Sequence, residues 1–241
     1  MKIVDKIKMK QNSIFGAEPV TIAFLGDSVT QGCFEIYRTG PKSLETVFEP
    51  QNAYSTLLRN MFAILYPSVQ INIINSGISG DYAPNGAKRL ERDILRYNPD
   101  LVVVSYGLND FPHKDEGLAR YTEALAKIFS ELNARGIECI FMTENMANTK
   151  VSCHIEDPWF RELAEESAER QNAGYLDKYF DAAKETAAAY GVRVCDCYSK
   201  WKKMEAAGVD VTELLSNKIN HPIRQLNYLF AYSLMETILE D

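Results

Sequence analysis

Three short segments of this 241-residue chain carry residue types suited to acyl transfer: GDSVTQG around Ser28, NSGISGD around Gly80 and YGLND around Asn109. Ser28 follows an apolar run in a Gly-Asp-Ser turn, where a hydroxyl can be exposed and the start of a helix favours developing negative charge. Gly77 and Gly80 let a backbone N–H approach a ligand with no Cβ in the way, and Asn109 offers an amide donor. The N–H groups of Ser28 and Gly80, together with the Asn109 amide, would form an oxyanion hole in which each donor contributes about 3–4 kcal/mol. Taken singly, these residues have ordinary roles: Ser28 as a helix N-cap, Gly80 and Asn109 as turn residues. Their joint occurrence in successive loops is what points to chemistry.

A serine nucleophile needs a base, and the chain offers His113, His154 and His221. His113 lies in DFPHKDE at the start of a helical stretch and His154 in the polar VSCHIEDP, and both read as solvated. His221 precedes Pro222, after a connection from about Cys197 that is too long for a simple crossover loop. Such a segment can return from the last strand to the other loops, although a lone His there also suits a polar cap.

The elements that must position these residues follow from apolar periodicity. Five β-branched runs (Val20 to Leu25, Ile71 to Ile74, Leu101 to Ser105, Glu138 to Met142 and Val192 to Asp196) predict strands covered on both faces. Helical-period stretches lie between them, such as Leu118, Tyr121, Leu125, Ile128 and Leu132. A closing stretch with Ile223, Leu226, Phe230, Leu234 and Ile238 predicts a last helix with Pro222 in its first turn. The pattern predicts the α/β class: a three-layer α/β/α sandwich on a doubly wound, flavodoxin-like parallel sheet of about five strands, order 2-1-3-4-5. In that order the first three strands are neighbours and their loops converge.

Composition narrows the partners. Lys plus Arg total 26 against 33 Asp plus Glu, a net charge of −7, with no basic run to neutralise phosphates, so nucleic acid is not expected as a partner. No stretch reaches the roughly 20 apolar residues of a membrane span. The N-terminal MKIVDKIKMKQNSIFGAEPV lacks the apolar core and cleavage site of a signal peptide, which predicts a cytoplasmic protein. No linker divides the chain, so residues 1–241 read as one domain with 1–18 as an N-terminal extension. The five cysteines lack zinc-site spacing, and Cys195 and Cys197, two apart on a strand, are expected to face opposite sides.

In this order and spacing, GDSVTQG, NSGISGD, GLND and NHP resemble the four sequence blocks of the SGNH hydrolases, also called the GDSL esterase/lipase family. The resemblance runs from about Thr21 to about Ala231, with Arg89-Leu90 and the NPD at Asn98 to Asp100 similar to the usual lead into the third strand. It implies a flavodoxin-like α/β/α fold and hydrolysis of acyl esters through an acyl-enzyme, with neither a metal nor an organic cofactor. Position by position, Ser28 matches the nucleophile and one oxyanion donor, Gly80 and Asn109 the other two donors, and His221 the general base. One position departs. The family commonly carries an Asp three residues before the His, to fix the imidazole tautomer and stabilise the imidazolium, and here that residue is Lys218. Asn217 and Asn220 flank it, and Asp210 and Glu213 lie in the same connection; these four are the candidates to orient His221. A Ser-His dyad held by a neutral group is the expected arrangement.

The segments Cys33 to Gln51 and Glu144 to Gly174 are extra material at the functional end of the sheet. Their Phe34, Tyr37, Arg38, Trp159, Phe160 and Arg161 would either line an acyl or sugar pocket or simply pack. The expected substrate is a small-molecule acyl ester, most naturally an acetyl group on a carbohydrate. A lysophospholipase or thioesterase acting on longer chains, and a non-catalytic carbohydrate-binding module motivated by Lys218, are the alternatives. The first loop lacks the G-x-G-x-x-G and G-x-x-x-x-G-K spacings of nucleotide sites.

Overall fold

In the computed structural model, residues 2–40 and 43–240 are described. The chain runs α1 (Ile3–Asn12), β1 (Val20–Gly26), α2 (Ser28–Gln31), β2 (Cys33–Gly40), β3 (Ser43–Phe48), α3 (Tyr54–Leu65), β4 (Ile71–Gly77), α4 (Ala83–Asp93) and β5 (Leu101–Ser105). It continues with α5 (Lys114–Ala134), β6 (Glu138–Met142), α6 (Pro158–Asn172), α7 (Tyr175–Ala189), β7 (Arg193–Cys195), α8 (Tyr198–Ala206) and α9 (Asn227–Leu239). Five strands form one parallel sheet in the order β4-β1-β5-β6-β7. With β2 and β3 set aside, that is second-first-third-fourth-fifth. Ile22 to Leu25 and Leu101 to Val104 are completely buried, as apolar strands between two helical layers must be. One layer contains α1, α3 and α9, the other α4, α5 and α7.

Within the 1–18 segment, residues of α1 contribute to this core. Ile3, Val4 and Ile7 of α1 are buried, the Ile3 N–H donates to Glu138 Oε2 at 2.6 Å, and Lys6 pairs with Asp100. Among the described residues, no helix is long and apolar enough to cross a membrane.

Three local expectations need correction. The helix after β1 is a single turn, α2, closed at Gly32, whose N–H donates to Ser28 O at 3.1 Å. The chain then makes an antiparallel hairpin, β2–β3, before the crossover helix α3 begins. Pro222 lies outside the last helix: it bridges to Leu215, and the bonds Ser216 N–H to His221 O and Ile223 N–H to Leu214 O zip 214–216 against 221–223. A 3-10 turn, Arg224–Leu226, then leads into α9. Finally, the sulfurs of Cys195 and Cys197 lie 3.8 Å apart rather than on opposite sides, because β7 ends at Cys195 and Cys197 already has helical backbone at the start of α8.

Candidate active site

Gly26 of β1 is in register with Gly77 of β4 on one side and Ser105 of β5 on the other. The three strands therefore end at one level, and the loops carrying Ser28, Gly80 and Asn109 leave the sheet side by side. The turn bearing Ser28 presses directly on β4. A Cβ on Gly77 would stand 2.3 Å from Gln31 N and 2.8 Å from Asp27 O, so only glycine fits beneath it. The turn is pinned laterally by Thr30 Oγ1 to Tyr54 OH at 2.7 Å, by Asn75 Nδ2 to Thr30 O at 2.7 Å, and by Ser79 N–H to Gln31 Oε1 at 2.6 Å.

His221, 193 positions along the chain, places its Nε2 2.9 Å from Ser28 Oγ. Its Nδ1 lies 2.8 Å from the carbonyl oxygen of Phe34 at the root of β2. A carbonyl only accepts, so Nδ1 carries the proton and Nε2 is left free to receive that of Ser28. Both side chains are buried, Ser28 being 3% exposed and His221 2%. Burial depresses the imidazole from its ordinary 6.5 to about 4, against the opposing effects of the Phe34 carbonyl and the nearby Glu35 charge.

The candidates near Lys218 divide by what they touch. Asn217 Oδ1 accepts from the N–H groups of Ile219, Asn220 and His221 at 2.9–3.1 Å, and its Nδ2 donates to Asn220 Oδ1. Asn217 and Asn220 thus shape the turn that presents His221 without reaching its ring. Asp210 pairs with Lys150 at 2.5 Å, and Glu213 with Lys218 at 2.9 Å and with Ser152, so both carboxylates are turned to other partners. Lys218 adopts a left-handed φ of 60° and directs its ammonium to Glu213, to both the backbone oxygen and the carboxylate. Of the other histidines, His154 is exposed and faces Glu213 at 3.9 Å, and His113 is exposed ahead of α5.

Gly80 has φ +76°, with open space where a side chain would begin. Among the described residues, neither its N–H nor that of Ser28 has a hydrogen-bonded acceptor. The Asn109 amide donates to Asp27 Oδ2 at 3.0 Å and to Asp81 O at 2.9 Å. Its two protons are thus engaged at rest, and service to an oxyanion requires one to be shared.

Beneath these loops lies a buried polar layer. Arg89 donates to Asp81, to Ser76 O, to Gly26 O at 2.9 Å and to Tyr106 OH at 2.8 Å, tying all three loops to one guanidinium. Asp27 accepts from Val29 N–H and lies against Glu144, whose Oε2 takes the Leu108 N–H at 3.0 Å. Burial raises Asp27 to about 6, and burial together with the facing Asp27 charge holds Glu144 well above the usual carboxylate range. Two carboxyls packed together in a buried layer disfavour two full charges, so the pair resists complete ionisation. Sequence reasoning singled out neither Glu144 nor the Phe34 carbonyl, and it took Arg89 only as part of a motif.

A cleft of about 340 Å³ opens between β2, the segment His154 to Phe160 and the Asn217-Lys218 turn; its lining includes Glu35, next to the Phe34 that meets His221, but neither Ser28 nor His221 itself. Tyr37, Arg38 and Phe160 line it. Trp159 stacks edge-on against Phe160 and lies 5.9 Å from the Arg38 guanidinium, and Arg38 also faces Asp157 at 3.5 Å. Arg161 turns to Glu165 instead, and Phe34 is buried.

An acetylxylan esterase from Geobacillus stearothermophilus is 28% identical over 89 residues, 37% of this chain and 39% of that protein. An arylesterase from Vibrio mimicus is 33% identical over 84 residues, 33% of this chain and 40% of the relative. These matches span about two-fifths of each relative's length. Among solved structures, an acetylxylan esterase from Geobacillus stearothermophilus superposes with a TM-score of 0.67 at 19% identity, covering 92% of this chain and 95% of that one. A two-domain esterase active on acetylated mannans gives 0.67 at 17%, covering 99% and 54%. At these identities the likeness is one of fold. The family model of the GDSL-like lipases/acylhydrolases matches residues 24–224, from within β1 to just past His221 and so across every loop that builds the site. The chain belongs to the GDSL-like lipase/acylhydrolase family.

Proposed function

We propose that the protein is a serine ester hydrolase that removes small acyl groups, acetyl above all, from a carbohydrate. The observation that carries the reading is the Ser28 Oγ to His221 Nε2 contact of 2.9 Å, with the far ring nitrogen held by a carbonyl. In the reaction His221 Nε2 takes the Ser28 proton as Oγ bonds to the ester carbonyl carbon, and the displaced electron pair rests on the carbonyl oxygen. The N–H groups of Ser28 and Gly80 receive that oxyanion, with the Asn109 amide as third donor once it releases Asp27 or Asp81. Collapse expels the alcohol, which leaves with the proton from His221. Water then gives its proton to the same nitrogen, attacks the acyl-enzyme and frees the acid and Ser28.

The carbohydrate assignment is supported by the cleft at β2 and the Asn217-Lys218 turn, whose mixture of aromatic and charged side chains suits a hydroxylated ring better than an acyl tail. The names of the acetylxylan- and acetylmannan-active relatives point the same way. Hydrolysis of p-nitrophenyl acetate, butyrate and octanoate, and of an acetylated xylooligosaccharide, tests both parts. Ser28→Ala is expected to lower kcat at least about 1,000-fold with an unchanged circular dichroism spectrum. Full turnover by that variant would exclude Ser28 as nucleophile, and a preference for octanoate would replace the acetyl-carbohydrate assignment with a long-chain one.

A further inference from the structure

The Phe34 carbonyl that meets His221 belongs to the β2–β3 hairpin, which stands outside the main sheet and needs something to fix it. Arg224, three residues past His221, supplies several contacts at that place. Its guanidinium donates to Glu35 Oε1 and Oε2 at 2.7 and 2.9 Å, and to Glu49 Oε2 and Oε1 at 2.8 and 2.5 Å. The Arg224 Cζ lies 4.5 Å from the centroid of the Phe34 ring. Glu35 is the residue after Phe34 on β2, and Glu49 follows β3, its N–H closing the hairpin base on Gly32 O at 2.9 Å. One planar fork thus grips both strands and covers the ring of the residue whose carbonyl receives the imidazole proton. Lysine, a point charge without the fork, has no equivalent geometry.

We propose that Arg224, with Glu35 and Glu49, is the positioning assembly that replaces the family's missing acid: it holds the Phe34 carbonyl against His221 Nδ1 and leaves one uncompensated negative charge near the ring. The inference rests on the serine-hydrolase reading of the same site. Geometry and charge both enter. One cation against two carboxylates leaves a net −1 at the clamp, and the Glu35 carboxylate already favours the imidazolium. Part of what a buried Asp does in a triad, fixing the tautomer and stabilising the charged ring, is thereby divided between a backbone oxygen and a half-buried ion cluster.

The test uses Arg224→Met, Arg224→Lys, Glu35→Gln and the unaltered protein. Steady-state kinetics on p-nitrophenyl acetate across pH are paired with the ¹⁵N-histidine NMR spectrum, in which the Nδ1 proton of His221 is a hydrogen-bonded signal. Arg224→Met and Glu35→Gln are expected to lower kcat about 10- to 100-fold, the cost of a misplaced catalytic group, with little change in KM. Arg224→Lys should recover only part of that loss. The acid limb of kcat/KM should move up in pH for Arg224→Met, which bares two carboxylates, and down for Glu35→Gln, which removes one. A merely structural contact would not shift the limb in opposite directions. The Nδ1 proton signal should broaden or vanish in Arg224→Met whether or not the protein hydrolyses esters, so a failure of the esterase reading is separable from a failure of the clamp. If Arg224→Met does not fold, Glu35→Gln and Arg224→Lys decide the matter by the same readouts. Wild-type kcat, an unmoved acid limb and an intact Nδ1 signal in the folded variants would overturn the proposal.

Discussion

In the proposed reaction His221 must accept a proton where burial disfavours the charged ring, an effect that the Phe34 carbonyl at Nδ1 only partly offsets. With the imidazole depressed to about 4, the base stays neutral through mildly acid solution and becomes protonated only as pH falls through that value. The acid limb of kcat/KM on p-nitrophenyl acetate, with product quantified after quenching, should accordingly lie near pH 4 and not near the 6.5 of free histidine. A limb at 6.5 would mean that the ring is solvated in the working enzyme. Ser28, Gly80, Asn109 and His221 were legible because each sits in a short block whose residue types and order are distinctive. The Phe34 carbonyl was not, since every residue has one and no side chain announces which will be used. Glu144 was equally hidden. In TENMAN nothing separates a buried carboxyl from a solvated one, and only the fold places it against Asp27.

At the level of elements, the parallel strands were readable because burial on both faces leaves near-continuous apolar runs. The β2–β3 hairpin left no such trace. Only its root, Cys33 and Phe34, is buried, while Tyr37, Leu44 and Phe48 are exposed, so its pattern resembles loop. Likewise Pro222 suited a helix start on local grounds, but pairing of 214–216 with 221–223 took precedence. The fit of α2 against β4 yields a sharper expectation. In Gly77→Ala the new methyl meets backbone on three sides, and backbone cannot step aside as a flexible side chain does, so the Ser28 turn must lift. This variant should lose about 2 kcal/mol or more of stability and most of its activity. Gly80→Ala, with open space but φ +76°, should lose only about 1–2 kcal/mol. Urea unfolding of the two variants compares them directly, and equal midpoints would contradict this account.

Across the whole molecule, the sheet separates stability from chemistry. The α1 helix binds at the end opposite the loops, where Glu138 opens β6 and Asp100 precedes β5. Residues 1–18 read as an extension because Lys6, Lys8 and Lys10 interrupt the segment, yet Ile3, Val4 and Ile7 share one face and enter the core. Each such side chain contributes about 1.5–3 kcal/mol when fully buried. Removing residues 1–18 should therefore lower the urea midpoint by several kcal/mol of stability while kcat per folded molecule stays unchanged; a fall in kcat with the midpoint intact would refute that division. The separation of 193 positions from Ser28 to His221 also has a meaning in time. Ser28, the proposed nucleophile, directly follows β1, whereas His221, its proposed base, arrives with a segment that docks after β7, and contacts of such separation form late. On the proposed mechanism, a chain whose 214–216 and 221–223 segments have not yet paired holds Ser28 with no base, so hydrolysis waits on that docking.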